Sequence, residues 1–161
     1  MNLLREVENL RNMGLSASCL WAFTEAFRDE KTPTAHAHLG HLMTVLPLVL
    51  DNQTLDIIER KRAGLRALVS EDEGFSLAVR TSIGALRSKV VDFVPRTIRA
   101  IKCALMWDLI VLADGGFISK KRLPSWDSVP DEARRPIEAS FKLGSWARLH
   151  NPSEYATILS I

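Results

Sequence analysis

Three histidines in the stretch HAHLGH carry a side chain that often binds metal ions in proteins. If this stretch is helical, His38 and His41 share one face, and His36 lies just before them. A zinc site needs further ligands, and no cysteine or carboxylate completes the set, since Asp51 is too distant in sequence to be assigned to it. We therefore predict no metal and no cofactor, and interpret the histidines as surface groups or hydrogen-bonded core groups.

Nucleophilic chemistry has equally little support in the sequence. Cys19 and Cys103 are too few and too far apart for a disulfide framework, and we predict that both are small buried hydrophobic residues. No nucleophile elbow, phosphate-binding glycine loop or dinucleotide fingerprint occurs. We therefore predict a protein that is not an enzyme; an enzyme that uses the histidines is an alternative.

The composition is that of one soluble domain. The chain has 161 residues, of which 47% are hydrophobic and 25% are charged. Its longest strongly apolar run, Leu42–Leu50, is too short to cross a membrane, and its first residues lack the basic start and apolar centre of a signal peptide. We expect a cytoplasmic protein that does not bind membranes.

Basic residues are concentrated in one part of the chain. Residues 80–122 contain nine basic and three acidic residues, a net charge of +6, whereas the rest of the chain has a net charge of −4. Such a segment can present a basic face to an acidic protein or to nucleic acid, or it can be an ordinary solvated face. The residues that we expect at such a contact are Arg96, Arg99, Lys102, Lys120, Lys121 and Arg122.

Hydrophobic periodicity predicts a mainly α fold, a single helical domain over residues 1–161 that contains a winged-helix segment with one β-hairpin. The predicted parts are a helical N-terminal part over 12–70, a winged-helix-like segment over 75–122 and C-terminal helices over 131–160.

The hairpin is predicted from two apolar runs that meet at Asp114-Gly115-Gly116, with strands near 109–113 and 117–122. Before it we predict a helix over 75–90, a turn at 91–94 and a second helix that Pro95 opens. Helix, turn, helix and hairpin is the order of a winged helix, which in many proteins binds DNA. A winged-helix DNA-binding protein is therefore the alternative function.

The last long helix, which Pro136 is predicted to open, has apolar residues in many directions. Gly144, in its middle, would let another backbone come close. Exposed apolar residues on soluble proteins often mark interaction sites, so we predict partner binding there. The alternative is that the domain itself covers this helix completely. The predicted partner-binding residues are Phe141, Leu143, Trp146 and Leu149.

Four segments occur in an order typical of a known family: SASCLWAFTEAF, HLMTVLPLVLDNQTLDII, VPRTIRAIKCAL and SFKLGSWARLHNPSEYATIL. Together they resemble the middle components of bacterial three-component ABC (Lamassu-like) antiphage defence systems. The resemblance implies a non-enzymatic adaptor that bridges an SMC/Rad50-like ABC ATPase and an effector subunit such as a nuclease. It also implies that DNA is reached through the complex, with weak or no binding by this chain alone. It supplies no catalytic residues to carry over.

Overall fold

A computed structural model describes residues 3–28, 35–60, 64–69 and 84–161. These residues form seven α-helices and one two-stranded antiparallel sheet, which confirms the mainly α prediction. In chain order the elements are α1 Leu3–Ala26, α2 Leu39–Val49, α3 Asn52–Arg60, α4 Leu65–Val69, α5 Leu86–Met106, β1 Ile110–Ala113, β2 Gly116–Ser119, a short 3-10 helix Trp126–Ser128, α6 Asp131–Ala147 and α7 Pro152–Leu159.

The hydrophobic core forms around α1, which packs against α6 on one side and α5 on another. The closest approach between α1 and α6 is at Gly144, as the sequence predicted. A methyl group placed on Gly144 would lie 2.4 Å from the Phe23 carbonyl oxygen and 2.8 Å from the Ala26 Cβ. Only a residue without a side chain lets the two backbones approach so closely.

The predicted turn at 91–94 is wrong, because α5 continues through it and contains Pro95 in its interior. An internal proline costs a helix about 3 kcal/mol, since one backbone hydrogen bond is lost. Burial on both sides of the proline offsets this cost: Leu86 precedes it, and Ile101 follows it on the same buried face. Of the helix predicted over 75–90, residues 75–83 lie outside the described residues, so the winged-helix arrangement stays a prediction.

The hairpin prediction is confirmed. Ala113 pairs with Gly116 and Ile110 with Ser119, so the strands are slightly shorter than predicted, and the basic residues follow the second strand. Gly115 has a φ of 93°, a conformation that favours glycine. Phe117 also exchanges backbone hydrogen bonds with Ala37, at 2.8 and 2.9 Å, so a third extended segment covers the outer edge of β2.

Candidate partner interface

The three histidines meet in space, but His41 belongs to the core. Its ring packs edge-on against Tyr155 at 4.7 Å and against Phe27 at 5.2 Å, and the residue is only 2% exposed. The backbone N–H of His38 donates to His41 Nδ1 at 3.1 Å, which leaves the proton of the neutral ring on Nε2. Burial lowers the pKa of His41 to about 4. His41 is therefore neutral at pH 7, and its buried Nε2 has no hydrogen-bond partner.

The described residues include no group of three or more metal-binding side chains that could hold an ion. Cys19 is buried as predicted, and burial raises the pKa of its thiol to about 12. A thiol with such a pKa stays protonated at neutral pH and is a poor nucleophile and metal ligand. Cys103 is half-buried.

The four predicted partner-binding residues have different surroundings. Leu143 is fully buried and Trp146 is 8% exposed, whereas Phe141 is half-buried against the core. Leu149, which follows α6, is 71% exposed. Packing of α6 within the domain thus buries Leu143 and Trp146, two of the four side chains. Partner binding by this region stays a prediction, and Leu149 is its most accessible residue.

The six predicted basic residues have different surroundings. Arg96 is directed towards α1, where its Nε donates to Ser16 Oγ at 3.1 Å, while Arg99 and Lys102 are exposed. Lys120 pairs with Asp108 at 2.9 Å, and Arg122 is exposed.

The basic residues after β2 partly serve the end of α5. This helix ends in a Schellman motif: Asp108 takes a φ of 57°, and the Leu109 N–H donates to the Ala104 carbonyl at 2.9 Å. Lys120 holds the pKa of Asp108 below its usual value, and the Lys121 ammonium lies 3.5 Å from the Trp107 carbonyl oxygen. Cations at a helix C-terminus interact favourably with the helix dipole. Part of the basic charge of the hairpin therefore has a structural role.

Side-chain hydrogen bonds from α1 fasten β2 to the domain. The Trp21 Nε1 donates to Ser119 Oγ at 3.1 Å and to the Lys121 carbonyl at 2.8 Å, and the Arg28 guanidinium donates to the Ser119 carbonyl. With Ala37 paired to Phe117 on one side of β2, β1 is the outer strand of the hairpin.

Exposed apolar side chains gather where α5 passes into β1. Met106 is 76% exposed, and Leu112 is 65% exposed. Sequence reasoning missed this cluster, although a signal was present: four apolar residues in a row at 109–112 put apolar side chains on both faces of a strand. We name it the hairpin surface, and its residues are Met106, Trp107, Val111 and Leu112.

A second apolar feature is a groove of about 790 Å³ between α1 and the segment that leads into α6. Trp21 and Leu15 line it from α1, and Leu123, Val129 and Ile137 line it from the opposite side. The groove is separate from the hairpin surface, since none of its lining residues belongs to that surface.

A family match covers the whole chain. Residues 1–161 match Middle Component 3 (MC3) of the ABC-three component (ABC-3C) systems. The chain belongs to this family. The resemblance inferred from the four sequence segments is thereby confirmed, and the protein is a component of a multi-subunit system. No curated protein and no solved structure matches it. In the part of the chain that the structure describes, no helix is both long and apolar enough to cross a membrane.

Proposed function

We propose that this MC3 protein is a non-enzymatic adaptor in a bacterial antiphage defence complex, where it bridges an SMC/Rad50-like ABC ATPase and an effector subunit in the cytoplasm. The observation that carries the proposal is the hairpin surface. Four large apolar side chains are exposed within residues 106–112, where α5 passes into β1, and exposed apolar patches on soluble proteins mark interaction sites. The chain belongs to a family of multi-component systems, and this membership supports the proposal that other components bind such a surface.

The position of the hairpin surface supports docking by an already folded adaptor. α1 and Ala37 hold β2 in place by hydrogen bonds. Because β1 pairs with β2, the exposed side chains of β1 are held in a defined position. A partner that covers Trp107 and Leu112 would bury apolar area without first ordering the hairpin, so it avoids part of the usual entropic cost of binding.

DNA binding is the alternative function, and the exposed Arg99, Lys102 and Arg122 are what favour it. The hairpin surface argues for a protein partner instead, because phosphate contacts are made by charged and polar groups. We propose that this subunit alone binds DNA weakly and without sequence preference, and that such binding collapses as salt rises because phosphate neutralisation releases counterions.

Co-expression of the three components, followed by affinity purification through this chain, tests the proposal. The wild type is expected to bring down both other components. Leu112→Asp is expected to lower recovery of one of them about tenfold, which corresponds to roughly 1.4 kcal/mol of binding free energy.

Leu39→Asp is the matched control, since Leu39 is an exposed leucine at the start of α2 and does not belong to the hairpin surface. Leu149→Asp tests the predicted C-terminal site in the same way. Normal recovery with Leu112→Asp, or recovery of neither component by the wild type, would refute the corresponding part of the proposal.

A further inference from the structure

The solvent-facing side of α5 is unusually apolar for an exposed helix. Its opposite side is buried in the core through Leu86, Ala100 and Ala104. On the solvent side, Val91 is 65% exposed and Val94 is 38% exposed, although aliphatic side chains gain about 1.5–3 kcal/mol each when they are fully buried.

These apolar residues continue along the helix at the spacing of a helix–helix seam. Val91, Val94 and Ile98 are three and then four residues apart, which places them in one line on the helix surface. Ile98 is half-exposed, and Met106 of the hairpin surface lies two turns further along the same side. A helix of this length is roughly 30 Å long, enough for about four turns of a partner helix to pack along it.

Exposed cations border the apolar line. Arg87, Arg99 and Lys102 are exposed on the solvent side of α5, and Asp92 is the acidic residue of α5 there. Two other cations of α5 have partners elsewhere, since Lys89 pairs with Asp51 at 2.6 Å and Arg96 reaches Ser16. The solvent side of α5 thus combines an apolar line with a cation one turn before Val91, Arg87, and two cations along one side, Arg99 and Lys102.

We propose that the solvent side of α5 binds an acidic amphipathic helix from another component of the ABC-3C system. This inference rests on the proposed adaptor function and names the kind of segment that the adaptor takes. Apolar residues of the incoming helix cover Val91, Val94 and Ile98, and its flanking carboxylates pair with Arg87, Arg99 and Lys102. In helix pairs, charges beside the seam select the partner in this way.

Charge and shape disfavour two other occupants. A second copy of this chain docking symmetrically would bring its own α5 cations against the same cations, because a two-fold interface contacts itself. A DNA backbone would pair with the cations but would leave Val91 and Val94 against phosphate, without apolar contact. The acidic helix satisfies both the apolar line and the cations next to it.

Site-specific photo-crosslinking in cells that express all three components tests this inference. A benzophenone side chain replaces Val91 in one variant and Glu138 in a matched control, since Glu138 is an exposed position on α6. Mass spectrometry identifies the crosslinked segment, and affinity purification of the same samples reports whether the complex assembles. The expected result is a crosslink from position 91, absent from position 138, to a helical segment with net negative charge in another component.

A charge-reversal pair tests the electrostatic part of the inference with the same crosslinking readout. Lys102→Glu is expected to reduce the crosslink from position 91 at least about tenfold, equivalent to roughly 1.4 kcal/mol. Arg122→Glu, which reverses an exposed charge beyond the hairpin, is expected to leave it unchanged.

The two proposals fail in different ways. An assembled complex in which position 91 is silent, or crosslinks to DNA, to a second copy or to a segment without negative charge, overturns the acidic-helix inference and leaves the adaptor proposal standing. A complex that does not assemble overturns the adaptor proposal, and the acidic-helix inference falls with it.

Discussion

Replacing Gly144 with alanine tests the packing of α1 against α6. In an isolated helix this substitution stabilises, because alanine is favoured over glycine by about 1 kcal/mol. In this fold the new methyl group would lie 2.4 Å from the Phe23 carbonyl oxygen and 2.8 Å from the Ala26 Cβ. Favourable contacts between heavy atoms begin near 3.5 Å, so the two helices must separate by roughly 1 Å.

The balance of these terms sets the magnitude. Overpacking of a well-packed core typically costs about 1–3 kcal/mol, and the obstacle at Gly144 is backbone, which cannot change rotamer. A backbone obstacle puts the cost at the upper end of this range, about 3 kcal/mol. After subtraction of the gain in helix propensity of about 1 kcal/mol, we expect Gly144→Ala to lower the free energy of unfolding by about 2 kcal/mol. For a chain of this length the melting temperature should fall by roughly 4–8 °C.

Gly14→Ala in α1 is the matched control, because no heavy atom outside its own helical surroundings lies within 4 Å of the added methyl group. It should raise the free energy of unfolding by up to about 1 kcal/mol. Urea unfolding with an unchanged m-value measures both variants. If Gly144→Ala is as stable as the wild type or more stable, the close packing of α1 and α6 described above is wrong.

Three further predictions concern the core and the hairpin. Burial lowers the folded-state pKa of His41 to about 4, below its unfolded value near 6.5, so protonation favours unfolding. The free energy of unfolding should therefore be at its full value above pH 7 and lower by roughly 2 kcal/mol at pH 5. Urea titrations across this pH range measure the loss, which His41→Phe should remove. Trp21→Phe removes the donor to Ser119 Oγ and the Lys121 carbonyl. The local stability of β2 should fall by roughly 1 kcal/mol, so its amide hydrogen exchange should accelerate about fivefold or more. Unchanged exchange would mean that the Trp21 hydrogen bonds do not hold the hairpin. Tyr155→Phe breaks the buried contact of its hydroxyl with Thr44 Oγ1 at 2.5 Å and should lower the free energy of unfolding by about 1–2 kcal/mol. A double-mutant cycle with Thr44→Val measures the coupling of the two side chains, and a coupling energy of zero would contradict this prediction.

The sequence by itself determined the features that depend on short-range chemistry. Helical periodicity predicts a mainly α fold, and Asp114-Gly115-Gly116 between two apolar runs predicts the hairpin, because a tight turn requires a residue that tolerates positive φ. Gly144 in an otherwise apolar helix predicts a close backbone approach, because glycine has no side chain. The family resemblance also depends on sequence alone.

Only the tertiary structure decided which apolar and basic residues are accessible. Trp146 and Trp107 are both tryptophans at the end of a long helix, yet the first is buried in the core and the second is exposed beside the hairpin. Arg96 and Arg99 are three residues apart, yet Ser16 of α1 binds only Arg96. The unbroken course of α5 through Pro95 has the same origin, since core burial on both sides of the proline offsets a local preference for a break. An apolar pattern in a sequence is the same whether the covering surface comes from the same chain or from a partner, and only long-range packing distinguishes the two cases.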